Sequence, residues 1–293
     1  MFSKNTTLQA MALMLASMAC FAAMNIIISS LAGGMHSMQM VFIRNAMSLA
    51  MISSFELVRQ HGRLHFPTAR MSGHFGRAVA GLIAMQLWFH SVTIMPVTLA
   101  TALSFTTPIF ATIFAILFLG ERAGIRRWAA MLVSFIGVIM ILRPDTQAMD
   151  ANIVFVLAAS AAMAVAGTFV KSLSRTERPE TIVFYMVLVM TPLSLPLALF
   201  YWQPVSWHQL WLLFFIALFS TVAQLMMARA FKRAEVVVLM PLDFTRLIFT
   251  SCLAYVFFGE VLDSHAWFGA AIIVASTLYI AHREAKIKRR AKR

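Results

Sequence analysis

Charge is scarce in this chain of 293 residues. Only 12% of positions are Asp, Glu, Lys or Arg, 61% are hydrophobic, and the mean hydropathy is +0.82. Such a balance excludes a water-soluble domain with a polar surface. Acid is scarcer than base, with 11 Asp and Glu against 24 Lys and Arg. The two cysteines, Cys20 and Cys252, both lie inside apolar runs, which excludes an oxidised framework and a metal-ligand spacing. Enzyme signatures are missing too: there is no Gly-x-Ser-x-Gly elbow, no His-Glu-x-x-His, no P-loop and no aspartate-rich pair to hold Mg²⁺. No catalytic residue, metal or cofactor is expected, and without a nucleotide domain any driving force must come from an ion or substrate gradient.

What the chain does have is apolar length. Phe, Met, Leu, Ile, Val and Ala fill stretch after stretch, and about 20 such residues suffice to cross a hydrocarbon core of roughly 30 Å. Gly, Pro and charge clusters divide the sequence into ten expected spans near 8–31, 37–58, 73–94, 97–119, 125–142, 151–172, 181–202, 207–230, 236–258 and 265–282. The first is read as a retained span, because the apolar run continues past Cys20 to Ile28 and a single Lys4 precedes it.

The chain is also one unit written twice. VTLATALSFTTPIFATIFAILFLGE at 97–121 aligns without a gap on VVVLMPLDFTRLIFTSCLAYVFFGE at 236–260. The expected units are a first repeat at 8–142, a second at 151–282, and a basic tail at 283–293. Lys and Arg gather on the cytoplasmic side of short loops. Placing both termini in the cytoplasm puts nearly all the basic residues there, Arg77 among them, with Arg143 outside. Five spans per half is odd, so the second repeat enters the membrane inverted. The expected fold class is an all-α membrane protein of ten transmembrane helices, built as two inverted five-helix repeats around a midplane site. The net charge of +13 is read as orientation and contact with the lipid bilayer, not as affinity for nucleic acid.

Ionisable residues inside spans are costly and so are site candidates. Arg44 lies about seven residues, or roughly 10 Å, into the second span. Asp243 and Arg246 are three apart in the ninth, where one helix face would let them pair; they are either a substrate or proton site, or a structural ion pair. Their counterparts in the first repeat are Ser104 and Thr107, so the scaffold is duplicated and the charges are not. Asn25, Gln86, Trp88, His90, Ser104, Phe105, Thr106, Tyr185 and Gln224 supply further polar and aromatic candidates at depth. Pro108 and Pro241 are expected helix breaks beside the binding site. The 22 methionines are read as packing.

The paired segments, the arginine in VFIRNAMS, the stretch HFGRAVAGLIAMQLWF, Met95-Pro96-Val97-Thr98 and both Gly-Glu turns together resemble the drug/metabolite transporter superfamily, in the form built from two EamA domains. The wording of spans two to five is similar to a bacterial branch of S-adenosylmethionine and riboflavin carriers. The resemblance implies a ten-helix carrier of the bacterial inner membrane with a central cavity, taking up a small charged or zwitterionic metabolite by alternating access. Arg44 and Arg246 would meet an anionic group, Asp243 a cationic group or coupling proton, and Phe105, Trp88 and Tyr185 the apolar part. The alternative within the family is export of amino acids or amino-acid-derived metallophores; outside it, an intramembrane enzyme or a non-transporting scaffold. Oligomeric state is left open.

Overall fold

The computed structural model describes residues 4–61, 63, 65–107, 109–111, 113–114, 133, 136–137, 140, 152–234, 239, 242–261, 263–265, 267–272, 274–275 and 279. Among these there is no strand. The helices, in chain order, are α1 (Lys4–Ser30), α2 (Ser37–Arg59), α3 (Met71–Ile94), α4 (Val97–Ser104), α5 (Ile153–Leu173), α6 (Pro179–Phe200), α7 (Trp207–Arg233) and α8 (Thr245–Phe258). Leu8–Ser30, α2, α5, α6 and α7 are long and apolar enough to cross a membrane, and shorter apolar helices occupy Val97–Ala111 and Thr245–Phe258. The fifth expected span, the first Gly-Glu turn, Pro108, Pro241 and the basic tail lie wholly or largely outside the described residues, and the tenth expected span lies partly outside them.

Local chemistry sets the helix ends. Pro179 opens α6 behind an extended Arg178, where its missing N–H costs nothing. Ser206 and Gln209 form a reciprocal capping box at the start of α7. Gly259 stops α8 in a left-handed conformation, φ 66°, with its N–H donating to the Tyr255 carbonyl and that of Glu260 to Ala254. Outward faces are apolar: Leu193, Leu195, Leu197 and Leu199 on α6 and Phe214 and Phe215 on α7 are all exposed. Tyr201, Trp202, Trp207 and Trp211 cluster at one end of this band, where rings with a polar edge suit a bilayer interface. The protein is thus a membrane protein whose solvent on these faces is lipid.

Inside, the helices of the two sequence halves pack on each other. α1 lies against α7, α3 against α5, α2 against α6, and α4 against α8. The interior is Met, Ile, Leu, Val and Phe with short polar residues between them. Ser17 on α1 donates to the Ala223 carbonyl on α7 at 2.8 Å, the kind of small polar cross-link that helix contacts in lipid favour.

Each end of the bundle is tied across the halves. At the basic end Glu56 of α2 is fully buried and meets Arg178 at 3.3 Å and Arg59 at 3.7 Å. Glu180 of α6 accepts from Arg229 of α7 at 2.8 Å. At the other end the Glu260 carboxylate reaches the N-terminus of α4, accepting from the Val97 and Thr98 N–H groups at 3.3 Å and from the Thr98 hydroxyl at 2.9 Å. Two otherwise orphaned donors and the positive end of α4 are satisfied by one acid. Gly259→Val should therefore cost about 1–2 kcal/mol of stability, from the left-handed backbone alone, read as a lower unfolding temperature in detergent.

Candidate functional site

Both copies of the duplicated helix are interrupted at the same place. α4 ends at Ser104, with Phe105 and Thr106 in a turn before the helix resumes at Thr107; in the second copy Leu242 and Asp243 are helical, Phe244 is a turn, and α8 starts at Thr245. Phe105 aligns with Phe244 in the repeat, and the two rings meet edge to face at 5.0 Å. Side-chain hydroxyls take over carbonyls here: Ser104 donates to Thr101, Thr106 to Leu103, Thr107 to Ser104 and Thr245 to Leu242, at 2.6–2.8 Å. The signal was present in the sequence as the Phe-Thr step kept in both copies.

The pairing expected for Asp243 and Arg246 is not made, although Phe244 between them keeps right-handed helical angles, φ −69° and ψ −19°. Among the described residues Asp243 makes no ion pair with Arg246 within 4 Å. Arg246 instead donates from Nη2 to the Ser104 hydroxyl at 2.7 Å and holds its guanidinium 5.7 Å from the centre of the Trp88 ring, within reach of a cation–π attraction. Its Nε is buried with no partner. Trp88, in turn, donates its indole N–H to Asn25 Oδ1 at 3.0 Å. Asn25, Trp88, Ser104, Phe105 and Arg246 thus form one contiguous cluster drawn from α1, α3, α4 and α8.

Arg44 lies beside it. Only 1% exposed, it donates from Nε to Ser220 Oγ at 2.8 Å and from Nη1 to Asn45 Oδ1 at 2.6 Å and Met85 Sδ at 3.7 Å. Met85 and Trp88 are three apart on α3 and share a face, so Arg44 stands about one turn from the aromatic platform. Gln224 accepts from Arg77 Nη2 at 3.3 Å. Gln86 is more telling: both of its side-chain polar atoms are buried without a partner.

The remaining expected residues are spread out. Thr106 is buried with its hydroxyl spent on the backbone. His90 packs edge-on against Phe155 at 4.7 Å. Tyr185 is held at the basic end, its hydroxyl on the Phe66 carbonyl at 3.0 Å and its ring 4.8 Å from His74, and contacts none of the cluster. Arg77, counted from sequence among the orienting charges, is 4% exposed on α3. Its nearness to a loop hid its burial. Asn25→Leu should release the Trp88 ring, weakening ligand binding about tenfold while costing about 1 kcal/mol of stability; titration and thermal melts of the purified variant measure both.

Buried cations, an aromatic platform and unspent donors, set between helices of the two halves and surrounded by lipid-facing surface, are the build of a membrane transporter. The chain belongs to the EamA-like transporter family, whose profile matches residues 8–143 and 151–281. It is similar to a riboflavin transporter of Vibrio cholerae, 33% identical over 98% of this chain and 97% of the relative. An S-adenosylmethionine uptake transporter of Rickettsia felis is 31% identical over 86% of this chain and 85% of its own. A solved crystal structure shares the fold, with a TM-score of 0.61 over 93% of this chain and 95% of that one at 16% identity.

Proposed function

We propose that this protein is a secondary carrier of the bacterial inner membrane that takes up a small, charged or zwitterionic, cofactor-like metabolite and leaves it chemically unchanged. The observation that carries this reading is the buried Asn25–Trp88–Arg246–Ser104 chain with Arg44 one turn away: a flat ring can lie on Trp88 while an anionic group meets a guanidinium. Relatives named for S-adenosylmethionine uptake and for riboflavin transport supply both ring systems. Asp243, half-buried beside the helix break, is assigned to the substrate's cationic group or to a coupling proton.

The architecture proposed for this task is ten helices in two inverted repeats, bounded at 8–142 and 151–282, with both termini cytoplasmic. Packing supports it. Exchanging the halves converts the α1–α7 contact into α5–α3 and returns α2–α6 and α4–α8 to themselves, and all of these contacts exist. In such a carrier the matched interruptions at Phe105 and Phe244 are where the two halves rock past each other around the substrate. The Glu56 and Glu180 network at the basic end and the Glu260 cap at the other are then the contacts to be exchanged as access alternates.

Thermal melts of the purified protein test the substrate class directly, because a ligand that binds only the folded state raises Tm with concentration. S-adenosylmethionine or riboflavin is expected to raise it, and Arg246→Ala to abolish the rise. A protein stabilised by neither compound, but by amino-acid-derived metal chelators, would shift the assignment to export.

A further inference from the structure

Arg77 and Arg44 are two buried cations held side by side. Arg77 donates to Gln224 and Arg44 to Ser220, and these partners are four residues apart on α7, one above the other on a single face. Among the described residues neither guanidinium has a carboxylate within 4 Å. Arg77 Nε and Nη1 are buried with no acceptor at all, as is Asn45 Nδ2, whose amide oxygen is occupied by Arg44. All three of these atoms are donors. An uncompensated buried cation is strongly unfavourable, and a second beside it makes matters worse. A purely structural pair of polar clamps would not need two full charges, nor leave three donors empty.

We infer that Arg44 and Arg77, between α2, α3 and α7, form an anion subsite that takes the carboxylate or phosphate of a ligand whose aromatic ring lies on Trp88. The inference rests on the carrier reading above for the ligand's ring. The planar fork of Arg77 and the adjacent Arg44 suit an oxyanion with two or more oxygens. Arg44 touches Met85, one turn of α3 from Trp88, whereas Arg77 is eleven residues from Trp88 on α3, about 16 Å along its axis, so the anionic group and the ring belong to the two ends of one extended molecule. The subsite therefore sets specificity: an aromatic compound carrying an acid is preferred to its neutral counterpart.

Paired ligands test this on the purified full-length protein. S-adenosylmethionine is compared with its decarboxylated form, and riboflavin phosphate with riboflavin, by calorimetric titration against wild type, Arg77→Gln and Arg77→Lys. Wild type should bind the acid member of at least one pair about tenfold or more tightly. Arg77→Gln should lose that preference while keeping its affinity for the neutral member, and Arg77→Lys, which keeps the charge but not the fork, should retain part of it. Retained binding of the neutral member shows that the variant is folded. Equal affinity within every pair, no binding of any acid member, or an unchanged preference in Arg77→Gln would overturn the subsite. Uptake into liposomes separates the two readings: uptake without acid preference removes the subsite and keeps the carrier, whereas preference without uptake does the reverse.

Discussion

Arg246→Ala is expected to lower substrate uptake about 10- to 100-fold, the loss that follows from removing a charge-assisted contact worth about 1.5–3 kcal/mol. The same variant should insert and fold. Arg246 is only half-buried, its bond to Ser104 is its one hydrogen bond among the described residues, and its contact with Trp88 is through space. Uptake per mole of folded protein, with folding followed by gel filtration in detergent, separates the two effects. A double-mutant cycle with Asp243→Asn adds a sharper test. Because Arg246 is engaged by Ser104 and Trp88 and makes no ion pair with Asp243, their coupling in stability should lie below about 0.5 kcal/mol. A coupling of several times that size would restore the structural ion pair.

The second large effect concerns stability. Glu56→Gln should destabilise the protein by about 2 kcal/mol, somewhat less than the ~3–5 kcal/mol of a fully enclosed pair, because Arg178 and Arg59 keep 30% and 41% of their side chains exposed. Glu56 itself is fully buried and joins α2 of the first half to the start of α6 in the second. Its loss leaves Arg178 with only Glu180, at 4.0 Å. A lower unfolding temperature is the readout, and binding of substrate to the folded fraction should be unaffected. If the network is a contact exchanged during transport, the variant will also shift toward the state open at the basic end, which protease or labelling access from that side would reveal.

Hydropathy sufficed for most of the scaffold. Helices α2, α3, α5, α6 and α7 begin and end within a few residues of the spans expected at 37–58, 73–94, 151–172, 181–202 and 207–230, because a run of apolar residues in lipid must satisfy its backbone internally and a helix does so. Arg44, expected about seven residues into the second span, lies at that place in α2. Less visible were features decided by tertiary contact. Pro108 and Pro241, the expected breaks, lie outside the described residues; within them the helices are interrupted at Phe105–Thr106 and Phe244, where hydroxyls compete for carbonyls and the two phenyl rings pack against each other. The position of Arg77 could not be told from its sequence neighbours, since a loop-proximal arginine orients a helix equally well whether it faces lipid headgroups or the interior. Asp243 and Arg246 looked paired because spacing alone does not show the competing partners of Arg246, Ser104 and Trp88 on other helices. What linked Asn25, Trp88 and Arg246 was a meeting of α1, α3 and α8 that no local pattern encodes.

In the proposed carrier the aromatic and cationic cluster between the halves carries a metabolite across the membrane intact. Uptake of radiolabelled S-adenosylmethionine and of riboflavin by purified protein in liposomes tests it most directly, with the trapped compound recovered and identified. Saturable accumulation of at least one of them is expected, chemically unchanged, competed by excess unlabelled compound and lost in Arg246→Ala. Uptake no greater than in protein-free liposomes for both compounds, or recovery of a chemically altered product, would contradict it.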